Sequence, residues 1–467
     1  TNMATLRWSG PVWSLPGGPL TLSGAAERRK EGTIGSYNGT NSVVPEARSH
    51  SYSIGQSQSI TAVYSELTMP LFGGRRKLPG VHRLELQAAV RKEWFGVKTT
   101  RLAASNSLSY QLLSGGVPNA VPFATTHGLA KYDSTNPTFG FVYNPIPDVM
   151  LRASTASAFG APTYSQLLPG LPSTRTTTVL DPRRSNASTA TMTIGGGNPD
   201  IDPESSQSQS AGIVITPRFL KQLRLAVDYT QIEKDNNIGS LGAQAIVNNE
   251  RYFPTRVTRG TPLATDPSGV GPITLVNTTA LNLYKTKVET YDVTADYRWD
   301  SAQRGSVTLG ALATWQPHYQ QQLTLDAPLV EYSNYSSANY PLHFRGNASL
   351  TWEHRRWVAG WTSLYYGSYR IYGPPIVAAT TNVLNNGGPT VGSQITHDLF
   401  VSYRVPSASR GSSWYERALD GVDVQLGVKN VFNTQPAFDG SAPGTFYASP
   451  WVSMRMAEYT VSLKKRY

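Results

Sequence analysis

Residues 291–299 read Tyr291, Asp292, Val293, Thr294, Ala295, Asp296, Tyr297, Arg298, Trp299: every second residue is apolar or aromatic, and those between are charged or hydroxylated. A period of two places the first set on one face of a β-strand and the second on the other. The pattern recurs with Leu84, Leu86, Ala88 and Val90, with Leu223, Leu225, Val227 and Tyr229, with Leu342, Phe344, Gly346, Ala348, Leu350 and Trp352, and with Val422, Val424, Leu426 and Val428. No helical periodicity competes with it over a comparable length.

A soluble β-sandwich alternates too, with its apolar face turned inward. Three further features separate the cases. Several runs hold their alternation for roughly nine to twelve residues, whereas soluble strands average about five or six and membrane strands need about 9–11. Aromatic rings close the apolar faces at Trp299, Trp315, Trp352 and Trp357, as in the interfacial girdles of a membrane barrel.

Short and long connections also alternate, as they do when one end of a barrel carries tight turns and the other carries extended loops. The short turns fall at Ser14 to Gly18, Phe72 to Gly80, Asn144 to Asp148, Pro217 to Lys221, Asp300 to Gly305, Glu353 to Arg356 and Pro406 to Asp420. The long segments, rich in Gly, Ser, Asn and Tyr, lie near 31–57, 96–134, 160–206, 236–272, 320–340, 370–393 and 433–454, and are expected on the extracellular side.

Composition agrees. Of 467 residues 15% are charged, against the usual quarter, and there are 25 Tyr and 10 Trp, which excludes a disordered chain. The net charge of +11 is spread along the sequence without a dense basic stripe, so nucleic acid is not an expected partner. Cysteine is absent, so there is neither a disulfide framework nor a thiolate site. No run approaches the roughly 20 apolar residues of a spanning helix, so a membrane-spanning chain of this kind must close its backbone hydrogen bonds as a barrel. The first residues show no signal-peptide pattern.

The fold expected is therefore all-β, a transmembrane antiparallel β-barrel. The turns give about fifteen strands if residues 272–299 form one long strand. Parity supports that choice, because the turns at Pro217 to Lys221 and Asp300 to Gly305 must lie on the same side. Single-chain bacterial barrels have even strand numbers, so an odd count implies part of a barrel whose earlier strands lie upstream. At the other end Tyr459, Val461, Leu463 and the terminal Tyr467 share one face. An amphipathic last strand ending on an aromatic resembles the signal read by the barrel-assembly machinery of Gram-negative outer membranes.

Several segments resemble TonB-dependent receptors. NPIPDVMLRASTASAFGAPTYSQL, from Asn144 to Leu167, is similar to that family's strand-turn-strand and following corner. GNPDIDPESSQSQSAGI, from Gly197 to Ile213, resembles its approach to the next strand. Glu66-Leu67-Thr68-Met69-Pro70-Leu71 and Gly427 through Asn433 with Pro436 resemble two further elements in the right order. Gly160 stands where the family usually has Arg, and Tyr467 where Phe or Trp is commoner.

The resemblance implies an outer-membrane receptor with about 22 strands and a plugged lumen, of which about fifteen would be present and the plug absent. It implies energised uptake of a scarce nutrient such as a ferric siderophore, cobalamin, haem or glycan. The implied partners are outer-membrane lipid, the TonB complex through an N-terminal segment, the assembly machinery, and a small-molecule or metal-chelate ligand. A passive porin, or a soluble multi-domain β protein that binds ligands, are the competing readings.

No catalytic set stands out. The seven histidines are scattered, no nucleophile elbow accompanies them, and no metal-ligand spacing occurs. Gly195-Gly196-Gly197 lacks the Lys-Ser/Thr of a phosphate loop. Neither an enzyme nor a resident cofactor is expected. For ligand contact the candidates are loop aromatics between small polar residues: Tyr332, Tyr335, Tyr340, Tyr366, Tyr369 and Tyr372. Tyr offers wide contact at low entropic cost plus a hydroxyl, though those near 365–372 would serve equally as girdle. Arg91, Arg152, Arg224, Arg298 and Arg345 fall on the polar face, where they would pack against a plug or guide an anion.

Overall fold

A computed structural model describes residues 1–33, 36–43, 46–53, 56–73, 78–102, 125–167, 171–262, 268–335, 340–371, 380–406, 413–414, 420–440 and 455–465. Among the described residues sixteen strands form one large sheet, and one of them, the two-residue Val330–Glu331, pairs off its main path. The other fifteen run in chain order, each antiparallel to the next. They are β1 (Asn2–Leu15), β2 (Gly18–Thr33), β3 (Gln56–Phe72), β4 (Arg83–Leu102), β5 (Thr125–Ile146), β6 (Val149–Gly160), β7 (Glu204–Ile215), β8 (Leu223–Gly239), β9 (Leu281–Ser301), β10 (Gly305–Gln322), β11 (Phe344–His354), β12 (Trp357–Tyr366), β13 (Gln394–Arg404), β14 (Val422–Lys429) and β15 (Glu458–Lys465).

The described tight turns lie where the sequence places them, all at one end of the sheet; residues 74–77, 407–412 and 415–419, within the turns at Phe72 to Gly80 and Pro406 to Asp420, lie outside the described residues. Arg355, at φ 55, opens the two-residue link between β11 and β12. In the β9–β10 turn Gly305 is at φ +81, and a Cβ there would lie 2.0 Å from the Glu353 carbonyl oxygen, so only glycine fits.

The other end differs from the expectation in two ways. First, strands continue beyond the apolar runs: β4 and β5 remain paired as far as Leu102 opposite Thr125, inside the segment expected as loop. Second, residues 272–299 are not one strand. Ile273–Asn277 belongs to another sheet, and β9 begins only at Leu281. The break is made by side chains. Asn277 Oδ1 accepts from the Thr279 amide (3.0 Å) and hydroxyl (2.7 Å), and the Arg256 guanidinium donates to the carbonyls of Asn277, Thr279 and Ala280. An Asx turn of this kind takes the backbone out of the ladder. The strand count survives because Ile273–Asn277 is not a crossing of the large sheet.

Registers sort the side chains into two faces. Leu225, Val227 and Tyr229 sit opposite Ala295, Val293 and Tyr291, which sit opposite Ala311, Ala313 and Trp315, then Ala348, Gly346 and Phe344. Further on, Leu350, Trp361, Leu399 and Val428 are aligned, as are Leu426 and Val461. Many of these side chains are exposed, Val227, Val293, Leu350, Trp361, Leu399 and Leu426 among them. A continuous exposed apolar face of this extent needs a partner phase.

That face is bounded by rings. At the loop end Tyr229, Tyr291 and Trp315 stand in register, Tyr229 tilted against Tyr291 with centroids 5.0 Å apart and Trp315 stacked on Tyr291 at 5.1 Å. At the turn end stand Trp299, Trp352 and the Trp357–Tyr403 pair at 4.6 Å. Tyr291 and Trp299 are eight residues apart. At about 3.3 Å per residue and a tilt of about 40°, that is roughly 20 Å of height, near the roughly 25 Å apolar band of membrane barrels. One residue pair above the rings the same face turns polar, with Gln209, Gln231, Glu289 and His318 in one row.

The opposite face is polar and largely self-paired. Arg152 grips Asp228 two strands away with Nε at 2.9 Å and Nη2 at 2.6 Å. Arg91 meets Glu93 at 2.7 Å, Arg298 meets Asp300 at 3.0 Å, and Arg224 lies 3.6 Å from Asp296. Of the five arginines singled out in the sequence, four thus find carboxylates within the wall itself. Arg345 stands opposite Thr314 and Tyr366.

Candidate functional site: the loop end of the wall

Two of the long loops fold together. Leu171–Asp181 and Ala187–Gly195, from the β6–β7 loop, pair with Ile273–Asn277 and Val257–Arg259 from the β8–β9 loop in a four-stranded sheet. The junction is parallel, Met192 to Leu275 through Ile194 to Asn277. Its core gathers Val179, Ile246, Val247, Phe253, Val257, Ile273 and Val276 with Leu281 and Leu283 of β9, so the subdomain is rooted in the wall. The helix Ala243–Asn248 contributes Ile246 and Val247 to it.

An ion cluster seals one side. Arg259 donates to both oxygens of Asp181 (2.7 and 3.0 Å) and to both of Glu250 (2.8 and 2.5 Å), and to the Gly271 carbonyl at 3.0 Å. Asp181 is 0% exposed. Burial alone pushes its carboxyl up, but the Arg259 guanidinium, the Arg183 amide and the charge of Arg184 together outweigh this and hold it below the usual carboxylate range. Glu250 is held low chiefly by its bonds to Arg259, and the two carboxylates push the Arg259 guanidinium higher still.

The corner after β6 explains why its sequence is so specific. The Gln166 side chain accepts from the Thr163 amide (2.8 Å) and hydroxyl (2.9 Å), one arm of a capping box at the start of the short helix Tyr164–Leu167. Leu167 packs with Val97, Ile201 and Ala280. Asn198 Nδ2 reaches the Ala280 carbonyl at 3.2 Å, and Asn282 ties Asp202 to the wall. Glu204 accepts from the Ile238 amide at 2.6 Å. Its other oxygen takes its cation from Lys234 at 2.8 Å, while Gly160 stands directly opposite it in the ladder.

The aromatic candidates divide into two groups. Tyr332 and Tyr340 lie 5.0 Å apart, with Tyr319 5.9 Å from Tyr340. Burial pushes the Tyr332 phenol up and carries Tyr340 to about 12. Beneath them, Glu331 binds the Tyr319 amide (2.8 Å), the Ser333 amide (2.9 Å) and His318 Nδ1 (2.9 Å), and Ser333 Oγ lies 2.7 Å from His343 Nε2. Burial raises the Glu331 carboxyl, but these donors prevail and hold it low.

Tyr369 belongs to a second cluster with Leu342, Ile371 and Val391, with Tyr366 against it. Its hydroxyl donates to Asp439 at 2.8 Å between two buried side chains. Tyr335 bridges Arg370 in parallel fashion, connecting the two loops. Tyr365, not Tyr366, joins the girdle, 5.7 Å from Phe344. Tyr372 lies outside the described residues. Tyr459, Val461 and Leu463 stand exposed on the apolar face of β15, and Tyr467 is outside the described residues.

No local pattern in the sequence marks the joined loops or the Asp181–Arg259–Glu250 cluster. A hollow of about 640 Å³ is lined by Ala88, Phe139, Ala153, Ala211 and Tyr229 of the wall and by no residue of the joined loops. Among the described residues no group of His, Cys, Asp and Glu could hold a metal ion, and no helix is long and apolar enough to cross a membrane.

A long antiparallel meander with a lipid-type apolar band, tight turns at one end and structured loops at the other defines the wall of a membrane β-barrel protein. Residues 3–431 match the family described as "TonB dependent receptor-like, beta-barrel", and the chain belongs to that family. Among solved structures, the siderophore receptor PirA from Acinetobacter baumannii is similar with a TM-score of 0.50 and 13% identity, over 99% of this chain and 61% of that one. A mutant of the ferric enterobactin receptor PfeA from Pseudomonas aeruginosa, in complex with enterobactin, gives 0.50 and 14% over 99% and 61%. At such identity the likeness speaks for the fold. The chain spans about 61% of the length of these receptors. No curated protein matches the sequence.

Proposed function

We propose that the protein sits in the outer membrane of a Gram-negative bacterium and takes part in TonB-energised uptake of a small molecule or metal chelate. Family membership supports the reading, and the observation that carries it is the apolar band between two rows of aromatic rings. Such a band fits lipid and leaves the polar face to line a lumen. The loops above the loop-end girdle form the capture surface, with Tyr335, Tyr366 and Tyr372 offered as contacts and Tyr332, Tyr340 and Tyr369 shaping the loops that present them.

A siderophore or similar chelate is the substrate class the two neighbouring receptors favour. The energy enters through the TonB complex, the lipid is that of the outer membrane, and the assembly machinery reads the exposed Tyr459, Val461 and Leu463 face. In this reading the protein is a transporter with no bond-making step of its own.

Uptake of a labelled ferric chelate by cells with and without the gene tests it. Uptake that needs both the gene and an energised inner membrane is expected. Uptake that persists after de-energising would favour a passive channel and overturn the proposal.

A further inference from the structure

The outward face of the wall is not uniform above its apolar band. On β8 the band ends at Tyr229. The row through Tyr229 runs to Ala211, Ala153, Phe141 and Leu86, yet on β4 the apolar side chains continue to Val90. Strand tilt accounts for the offset. Four strands at about 4.8 Å, tilted about 40°, climb roughly 12 Å, and four residues along β4 rise about 10 Å.

Just above that boundary three aligned rows cross β2 to β5. They read Arg28, Thr61, Trp94, Asp133, then Lys30, Ser59, Gly96, Lys131, then Gly32, Ser57, Lys98, Leu129. Lys92 stands one position below Trp94, with its ammonium 5.8 Å from that ring, and pairs with Asp133. Arg28, Lys30, Lys98 and Lys131 are exposed, and no ion pair with a described residue engages them. Lys98 and Lys131 are diagonal neighbours on adjacent strands, where like charges repel. On β8 and β9 the same level is neutralised internally: Lys285 lies 3.4 Å from Glu233, and Lys287 2.8 Å from Glu289.

We propose that this surface on β2–β5 docks the phosphate groups of anionic lipid headgroups in the outer leaflet. The inference rests on the membrane placement proposed above. Serine, threonine and glycine give the rows a low floor, so a headgroup can lie among the cations while its acyl chains follow the apolar face below. Trp94 marks the interface, and the long stems of Lys and Arg let their charges reach down to phosphate depth. Each cation near an anionic lipid surface contributes about a factor of five in affinity, equivalent to about 1 kcal/mol.

The test uses the protein expressed from its own gene, purified in an uncharged detergent and titrated with phosphatidylglycerol or phosphatidylcholine in mixed micelles. Bound lipid per chain is counted by native mass spectrometry. Phosphatidylglycerol should bind in preference, and the triple variant Lys30→Gln, Lys98→Gln, Lys131→Gln should weaken it on the order of 100-fold. The pair Lys285→Gln, Lys287→Gln should change it less than twofold. Heat-modifiable gel migration confirms that the variants remain folded. Equal binding by wild type and triple variant, equal binding of the two lipids, or full displacement by inorganic phosphate alone would overturn the proposal. A protein that fractionates away from outer membranes would instead overturn the placement on which it rests.

Discussion

Arg259 reaches Asp181 across 78 positions of sequence, with Nη1 2.7 Å from Oδ2 of a carboxylate that is 0% exposed. The pair holds two loops as one body. Truncating one partner leaves a charge buried without compensation, a loss of about 3–5 kcal/mol. Arg259→Met should therefore expose the segments 171–195 and 257–277 to limited proteolysis while the wall keeps its heat-modifiable migration. Lysine should not rescue, because it lacks the fork that serves two carboxylates.

The same cluster sets an acid limit. Asp181 and Glu250 titrate below their ordinary values in the folded loops, so their contribution is present above the unfolded carboxylate range near pH 4. It is lost as pH falls through the lower folded values. Hydrogen exchange of the Ala187–Gly195 and Ile273–Asn277 amides should be protected at pH 5 and accelerate below about pH 4, earlier than exchange in β8 or β9.

Tyr340, pushed up to about 12 by burial and by its neighbours Tyr332 and Tyr319, is a phenol and not a phenolate at any physiological pH. The alkaline difference spectrum of wild type minus Tyr340→Phe should stay flat up to about pH 11. A tyrosinate signal near pH 10 would place this ring in solvent.

Neighbouring positions on β9 should respond oppositely to one cation. Val293 faces Val227 and Ala313 across the apolar band, so Val293→Arg should cost about 2–4 kcal/mol and reduce membrane assembly. Thr294→Arg, on the polar face opposite Ala226 and Leu312, should assemble near wild-type levels. Urea-refolding titrations into lipid vesicles measure both.

The wall was legible because its signals are local. Period two assigns faces wherever one face is apolar, and Asp300 to Gly305 or Glu353 to Arg356 mark turns through their own polar and glycine residues. The loops were not legible for the opposite reason. Ile273 to Asn277 carries the same alternation as β9 and sits against it in sequence, so the break shows only in the Asn277 side-chain bonds to Thr279 and the Arg256 bonds to Asn277, Thr279 and Ala280. Its true partner, Ala187–Gly195, is remote and parallel, and strand propensity carries no record of register between distant segments. Among the tyrosines, spacing could not tell Tyr365, in the girdle, from Tyr369, whose hydroxyl serves buried Asp439.

The central claim is that one face of this sheet meets lipid and the other water. The chain has no cysteine, so single cysteines can be placed at each position from 291 to 299, spin-labelled, and probed in lipid vesicles with oxygen and a water-soluble nickel chelate. Labels at 293, 295 and 297 should favour oxygen, those at 292, 294 and 296 should favour nickel, and the two should alternate without a gap. Equal access along the stretch, or nickel dominance at 293 and 295, would contradict a membrane wall.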